Sequence, residues 1–418
     1  MQLYYLQRAN YNDTMTILND ENINVLFAPA SYKFRKLEYT SAFRVTIDSL
    51  TLHNKLYFHE LDSKSHLAVK ELPETHRGVD EPYKSIDEVT AYYRREISMV
   101  LAKGQGFWFF DMLGGWFNDP ELMQEFERLK ALSEDVRKHE RKSLSEVAMF
   151  VDLESNYYLG SHINYEVAEM QLNNLNKMGL PWDSYVTEDL LHPEFAESNY
   201  KLMIFVNLFK PSEAIKEKLT ELRKKGVSFL FFHAPGYISE NGFSIDGMKE
   251  LSSISLKRTD VKNTAVICVD SNEAYDFPPP PDSYYQNEYV HPSFCADDKD
   301  CEVWGEYEEN GEPAFVVKYR DDGSFDAFSN SYPMPDSQLK KLALKAGAFE
   351  YLDSCEPVYM SSAVMGIYSY TGGTKKVKWK EPVKIREYFT NEIYDLSPNG
   401  TEINFKPKET KVFLVERQ

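Results

Sequence analysis

Glu60 is the residue in this chain whose type and position most invite chemistry. It lies in HNKLYFHELDSKSHL (53–67), where a short apolar strand runs straight into His-Glu-Leu-Asp and then into a polar loop. Side chains alternate along a strand, so Leu56, Phe58 and Glu60 share one face and Tyr57, His59 and Leu61 the other. A carboxylate closing such a row stands at the C-terminal rim of a sheet. There it is either solvated, the commoner case, or it faces a cleft. In a (β/α)8 barrel that rim is where active sites lie. The following strand, in GFWFFDMLGG (106–115), ends at Asp111, and the aromatic segment after it can bring Trp116 to the same cleft.

Two other constellations are weaker. Asp152 and Glu154, at the end of AMFVDLES, share a strand face, but loop or interface roles account for them better. Cysteine nucleophile chemistry needs a Cys at a strand-to-helix elbow with a His partner. The candidate elbow FFHAPGYI offers His233 and no cysteine, and Cys268 lies well downstream, so His233 reads as structural.

Composition narrows the classes. The 418 residues are enough for two or three domains, and 42% hydrophobic with 14% aromatic residues supports packed cores. A formal charge of −19 with no offsetting basic stripe argues against nucleic acid; Lys375-Lys376-Val377-Lys378 is a local run on a solvated strand face. No segment approaches the ~18 apolar residues of a membrane span. MQLYYLQRANYNDT lacks the charged-then-apolar form of a signal peptide. The cytoplasm is therefore the favoured compartment, unless a targeting region precedes the sequence. Cys268, Cys295, Cys301 and Cys355 form no C-x-x-C pair and have no His pair at metal spacing, so free thiols and no metal are expected.

The elements that must position Glu60 are βα units. Strands are expected within 23–32, 54–62 and 106–115, carrying apolar residues on both faces as a helix-covered sheet requires. SIDEVTAYYRREISMVLAKG has helical spacing at Ile86, Val89, Tyr92, Tyr93, Ile97, Val100 and Leu101, with Ser85 as N-cap and Gly104 past the end. In DPELMQEFERLKALSEDVRKH, Asp119 caps and Pro120 takes the first helical position. From EVAMFVDLES onward, strand and helix alternate again through NYEVAEMQLNNLNKMG, KLMIFVNL, PSEAIKEKLTELRKKG and VSFLFFHAPG, which predicts a separate, doubly wound α/β domain. Beyond residue 256 short strands are expected, with FPPPPDS (277–283) as a stiff loop and a hairpin turning at Asn310-Gly311. The last sixty residues alternate strand-like runs with Gly-Gly and Asn-Gly turns, which predicts a small β-sandwich.

Taken together, NVLFAPASYKFR, DSLTLHNKLYFHELDSKSHL and GFWFFDMLGGWFNDPELMQEF resemble the end of the barrel of β-galactosidase-like glycoside hydrolases of family 42. VAMFVDLESNYYL, LPWDSYVTEDLL, KLMIFVNLFKPS and FLFFHAPGYI are similar to that family's trimerisation domain, of class I glutamine-amidotransferase-like fold, and the tail resembles its C-terminal β-domain. The resemblance implies an α/β chain in three parts: the last three strands of a partial (β/α)8 barrel (1–145), a flavodoxin- or amidotransferase-like domain (146–355), and a small β-sandwich (356–418). It implies a retaining glycosidase, β-galactosidase-like, with Glu60 as catalytic nucleophile, no organic cofactor, a carbohydrate substrate and a homotrimer. Tyr32 and Arg35 fall at the sixth barrel strand, Asp62 just past the nucleophile, and Trp108, Asp111 and Trp116 at the eighth; all six are expected to contact substrate. The family usually has Arg where this chain has Lys64, which donates as a point charge and not as a planar fork.

A closed barrel takes about 250 residues, whereas residues 1–145 hold three strands. The family's acid/base glutamate belongs to the fourth strand. Glu71, Glu74 and Asp80 are substitutes in charge only. Two readings follow: the C-terminal portion of a glycosidase whose barrel half is supplied from elsewhere, or a non-catalytic oligomerisation or carbohydrate-binding remnant.

Overall fold

The structure is a computed structural model that describes residues 14–70, 82–158, 171–275 and 292–416. Glu71, Glu74, Asp80 and the proline-rich 277–283 lie outside the described residues. The chain is a mixed α/β fold that divides into two compact units. One comprises Asp20–Ser145, Asn176–Pro181 and Phe349–Gln418; the other comprises Met1–Asn19, Glu146–Leu175 and Trp182–Ala348.

The unit that carries Glu60 is built on three parallel strands: β1 (Val25–Pro29), β2 (Leu56–Leu61) and β3 (Gly106–Phe109), in that spatial order. Helix α1 (Ile47–Leu52) links β1 to β2, α2 (Ile86–Ala102) links β2 to β3, and α3 (Pro120–Val136) follows β3. The helix boundaries follow from their caps. Ser85 Oγ accepts from the Glu88 N–H at 3.3 Å, and Asp119 Oδ1 accepts from the N–H groups of Glu121 (2.8 Å) and Leu122 (3.1 Å). Tyr57, His59 and Leu61 are buried on one face of β2. Leu61 joins Val89, Tyr92, Tyr93 and Ile97 of α2 and Phe126 and Leu129 of α3 in one apolar core.

The opposite face departs from expectation. Register puts Val25 beside Leu56, Phe27 beside Phe58, and Glu60 between Pro29 and Trp108. On this face Phe27 is 63% exposed, and Val25, Leu56 and Trp108 are exposed as well. The sheet was expected to be covered on both sides; the helices pack on the Leu61 side, and no described residue buries the other.

The C-terminal strands belong to this same unit. A five-stranded antiparallel sheet runs in the order Val358–Met360, Val364–Ser369, Glu409–Glu416, Val383–Glu387 and Ile393–Leu396, and Gly373–Val377 pairs with Thr401–Phe405. One side of the larger sheet forms its own core from Met365, Ile367, Ile385 and Phe413. Val364, Tyr368, Val412 and Leu414 on the other side join the core of α2 and α3. At the closest approach Gly366 faces Ser98 of α2, where a Cβ on the glycine would lie 2.2 Å from Ser98 Oγ.

The second unit holds a nine-stranded mixed sheet. Its parallel part is β4 (Val147–Val151), β5 (Trp182–Val186), β6 (Leu202–Phe205) and β7 (Ser228–Phe232), ordered β5-β4-β6-β7. The strand Phe325–Ser329 adds parallel to β7, and four antiparallel strands extend the sheet beyond it. These include the hairpin Glu302–Tyr307/Pro313–Tyr319, whose turn holds Gly311 at φ +72°. The helix after β6 begins at Glu213 with Ser212 as its cap, so Pro211 precedes it. Chain order leaves β4 with β5 on one side and β6 on the other, and their C-terminal ends gather polar groups. The Asp152 N–H donates to Asn207 Oδ1 at 2.8 Å, and Asn207 Nδ2 returns a bond to the Asp152 carbonyl at 2.8 Å. Burial raises the Asp152 carboxyl to about 6; burial and the neighbouring Asp152 charge raise Glu188 to about 7.

All four cysteines are free; burial pushes the thiols of Cys268, Cys295 and Cys301 up to about 12, which suppresses thiolate chemistry. His233 is buried at φ +59°, and burial pulls its imidazole down to about 4, a neutral side chain inside a core. Among the described residues no helix is long and apolar enough to cross a membrane, and no group of three or more His, Cys, Asp or Glu could hold a metal ion.

Candidate active site

Glu60 occupies the penultimate position of β2, on the face shared with Leu56 and Phe58. Gly106, the register partner of Phe58 on β3, leaves room for that ring: a Cβ there would lie 2.8 Å from it. Phe58 stacks on Phe27 with centroids 5.3 Å apart, so an aromatic floor leads up to the carboxylate. Trp108 follows directly beside Glu60, 38% exposed and tilted over Phe110 at 5.2 Å.

The turn after β1 supplies the polar side. Tyr32 opens a short 3-10 turn and its hydroxyl donates to Asp62 Oδ2 at 2.9 Å. The Arg35 guanidinium forms an ion pair with Asp62, both side chains being buried to 1% exposure. Arg35 Nη2 also donates to the Ala30 carbonyl at 3.0 Å, and the guanidinium lies 4.0 Å from the centre of the Tyr32 ring. Arg44 lies 4.5 Å from the same ring and donates to the same carbonyl at 3.3 Å. Residues 32, 35, 44, 60 and 62, separated by up to 30 positions, thus form one cluster of two carboxylates, two guanidiniums and a phenol.

The electrostatics follow from this packing. Burial is the main force raising the Glu60 carboxyl above the usual range, and the Asp62 charge adds to it. Arg35 and Arg44 oppose the rise. Tyr32 is raised by burial and by Asp62, which keeps its hydroxyl protonated as a donor. Asp62, held by Arg35 and Tyr32, is committed to organising the cluster, whereas no side-chain hydrogen bond ties down the Glu60 carboxylate among the described residues.

The remaining two expected residues lie on the loop after β3. Asp111 Oδ2 accepts from the Trp116 N–H at 3.0 Å, and the Trp116 carbonyl accepts from Ser65 Oγ. Trp116 is only 6% exposed, so it is packed into this loop, unlike the open ring of Trp108. Sequence reasoning missed Arg44, which carries no motif; only the fold brings it over Tyr32. It also missed the buried network on the far side of β2. There His59 Nε2 lies 3.4 Å from Glu96 Oε2, and Arg95 Nε lies 3.3 Å from Glu96 Oε1. The adjacent Arg-Arg-Glu of α2 was the available signal, because a helix otherwise buried on that side forces two of the charges inward.

No protein-family model and no curated protein sequence matches the chain. Solved structures do. The GH42 β-galactosidase Gan42B superposes with a TM-score of 0.59 at 15% identity, covering 95% of this chain and 60% of that one. A β-galactosidase from Bacillus circulans sp. alkalophilus gives 0.56 at 12% identity, over 89% of this chain and 61% of that one. The β-galactosidase of the haloarchaeon Halorubrum lacusprofundi gives 0.57 at 13% identity, over 89% and 55%. The chain therefore has the fold of a part of a GH42 β-galactosidase, and spans less than two thirds of the length of the solved chains it matches.

Proposed function

We propose that the chain is the C-terminal portion of a retaining, β-galactosidase-like glycoside hydrolase and that Glu60 is its nucleophile. The observation that carries this reading is the position of Glu60: a half-buried carboxylate at a parallel-strand end, free of side-chain hydrogen bonds among the described residues, with an open tryptophan beside it. Such a carboxylate attacks the anomeric carbon and forms a glycosyl-enzyme ester that water then hydrolyses. Trp108 offers a ring face to the sugar. Tyr32, Arg35 and Asp62 shape the hydroxyl-binding side, and Asp111 with Trp116 forms the neighbouring wall.

A retaining mechanism needs a second carboxyl group about 5–5.5 Å from the first to protonate the leaving group. Among the described residues Asp62 is the acid whose charge bears on Glu60, and its ion pair with Arg35 unfits it as a proton donor. The acid/base is accordingly assigned outside the described residues, on further βα units that would seat on the open face of Val25, Phe27, Leu56 and Trp108. A strand row that is apolar and exposed on the side facing Glu60 supports that assignment. On this reading the three parallel strands are an arc of a (β/α)8 barrel, the second unit is the flavodoxin- or amidotransferase-like trimerisation domain, the C-terminal strands are the β-domain, and the assembly is a homotrimer.

An aryl β-galactoside with a good leaving group tests the nucleophile without the acid. The full chain should release aryl alcohol and trap sugar on Glu60, detected as a mass increase on its peptide, and Glu60→Gln should abolish both. Absence of both aryl alcohol release and trapped sugar, in the chain alone and in its native assembly, would remove the hydrolase reading and leave a non-catalytic oligomerisation or carbohydrate-binding role.

A further inference from the structure

Arg35 and Asp62 can shape the cleft only if the 34–41 segment that carries Arg35 is held in place, and its restraints come from far away in sequence. Arg95 of α2 is fully buried. It donates through Nη2 to the Arg35 carbonyl at 2.8 Å, and through Nη1 to the carbonyls of Lys36 at 3.2 Å and Tyr39 at 2.5 Å. Tyr83 also donates to the Arg35 carbonyl, at 2.8 Å. From the C-terminal sheet, the Tyr368 hydroxyl donates to the Leu37 carbonyl at 2.6 Å and the Tyr359 hydroxyl to the Thr40 carbonyl at 2.5 Å. Asn176 Nδ2 donates to the Ser41 carbonyl at 2.8 Å, and Ser41 Oγ to Glu96 Oε2 at 2.5 Å. Five successive or near-successive carbonyls of one segment, at positions 35, 36, 37, 39 and 40, are thus gripped by side chains of α2, the C-terminal strands and Tyr83.

A loop ordinarily satisfies its carbonyls with water or with itself. Here they are taken by fixed, buried donors. That arrangement immobilises the Arg35 backbone and therefore the origin of its guanidinium. Burial is required of Tyr359 and Tyr368 by the core they share with α2, but their hydroxyls could have been absent; phenylalanine fills the same space. We propose that Arg95 and Tyr368 are positioning residues for the Glu60 cleft: through the 35–40 carbonyls they hold Arg35 against Asp62 and Tyr32, so that the C-terminal β-strands are part of the support of the candidate active site. The proposal rests on Glu60 being the functional carboxylate only for its biological meaning; the mechanical coupling stands or falls separately.

The test is titration of the Glu60 carboxyl by carbon NMR in the full chain, with Glu60→Gln identifying the signal, alongside urea unfolding of the same samples. Tyr368→Phe keeps the ring and removes one donor; Arg95→Met removes three. The charged groups that act on Glu60 are Asp62, Arg35 and Arg44. Slackening the grip withdraws the Arg35 cation more than it changes Asp62, which stays on the same strand end, so the Glu60 midpoint should move upward. The expected shift is about half a pH unit in Tyr368→Phe, roughly threefold in the acid constant, and more in Arg95→Met. If Arg95→Met does not fold, Tyr368→Phe alone decides. A variant that lowers the unfolding midpoint while leaving the Glu60 titration at its original position overturns the proposal, since a merely structural role predicts that pattern. Shifted titration without glycoside hydrolysis would keep the coupling and discard the hydrolase reading.

Discussion

Replacing Arg35 by Met removes the partner of a carboxylate that has no access to water. Both side chains of the Arg35–Asp62 pair are 1% exposed, so solvent cannot replace the lost cation, and breaking such a pair from one side costs about 3–5 kcal/mol. Tyr32 still donates to Asp62, which keeps the loss from reaching the upper end. The Ala30 carbonyl retains Arg44 as a donor and adds little. Taking about 4 kcal/mol and a urea dependence of about 2.5 kcal/mol per molar, the unfolding midpoint of this unit should fall by about 1.5 M. Because the chain has two compact units, the measurement is urea-dependent hydrogen exchange read by mass spectrometry. It follows peptides spanning 25–62 against peptides spanning 202–232. The first set should lose protection at lower urea and the second should not move. Arg35→Lys should recover part of the loss, because Lys restores charge but not the planar fork. A midpoint in Arg35→Met within about 0.4 M of wild type, equivalent to about 1 kcal/mol, would refute the claim that this pair is a buried, unsolvated ion pair.

Two further expectations concern packing and pH. Gly366→Ala should destabilise the same unit by about 1–3 kcal/mol through overpacking against Ser98, and Ser98→Gly in the same chain should restore most of it; thermal or urea unfolding of the three forms is the check. In the second unit, the folded-state carboxyls of Asp152 and Glu188 titrate near 6 and 7, above their unfolded values, so the native state binds more protons between about pH 4 and 7. Its stability should therefore fall as pH rises through that window. Asp152→Asn should flatten the fall and stabilise this unit at pH 8, read from urea unfolding at pH 5 and pH 8.

What the sequence revealed and what it hid divide along physical lines. Local rules worked where the determinants are local: Ser85, Asp119 and Pro120 mark helix starts that the structure reproduces, and the alternation along β2 separates Tyr57, His59 and Leu61 from Leu56, Phe58 and Glu60, although which face is buried needed the fold. The Asn310-Gly311 turn follows from the need for positive φ at Gly311. Non-local pairings were not legible. The region beyond residue 256 looks like a change of texture, but five of its strands, between residues 266 and 329, continue the sheet begun by β4 to β7, because strand partnership depends on edges that a single sequence does not display. Arg95 and Glu96 carry no sequence signal of their partners, yet they are fully buried: Arg95 donates to Glu96 and to the carbonyls of Arg35, Lys36 and Tyr39, and Glu96 accepts from Ser41 Oγ. Trp116 is indistinguishable by type from Trp108; only the Asp111 and Ser65 hydrogen bonds decide that one ring is packed and the other open. Around Glu60, the family resemblance named Tyr32, Arg35 and Asp62, which lie together in the structure, while Arg44 needed the fold.

The close approach of Gly366 to Ser98 has a consequence for how this protein can change over evolutionary time. The C-terminal strands are not a removable appendage, because their inner face completes the burial of α2 and their tyrosine hydroxyls end on the segment beside Glu60. A lineage that discarded its tail would expose the face of α2 that Tyr368 and Val412 now cover. Conversely, substitutions in α2 and in the 364–369 strand must be accepted as pairs: a side chain gained at position 366 demands one surrendered at 98. Variation at these two positions should accordingly be correlated among relatives, a signature legible from sequences alone once enough of them are aligned.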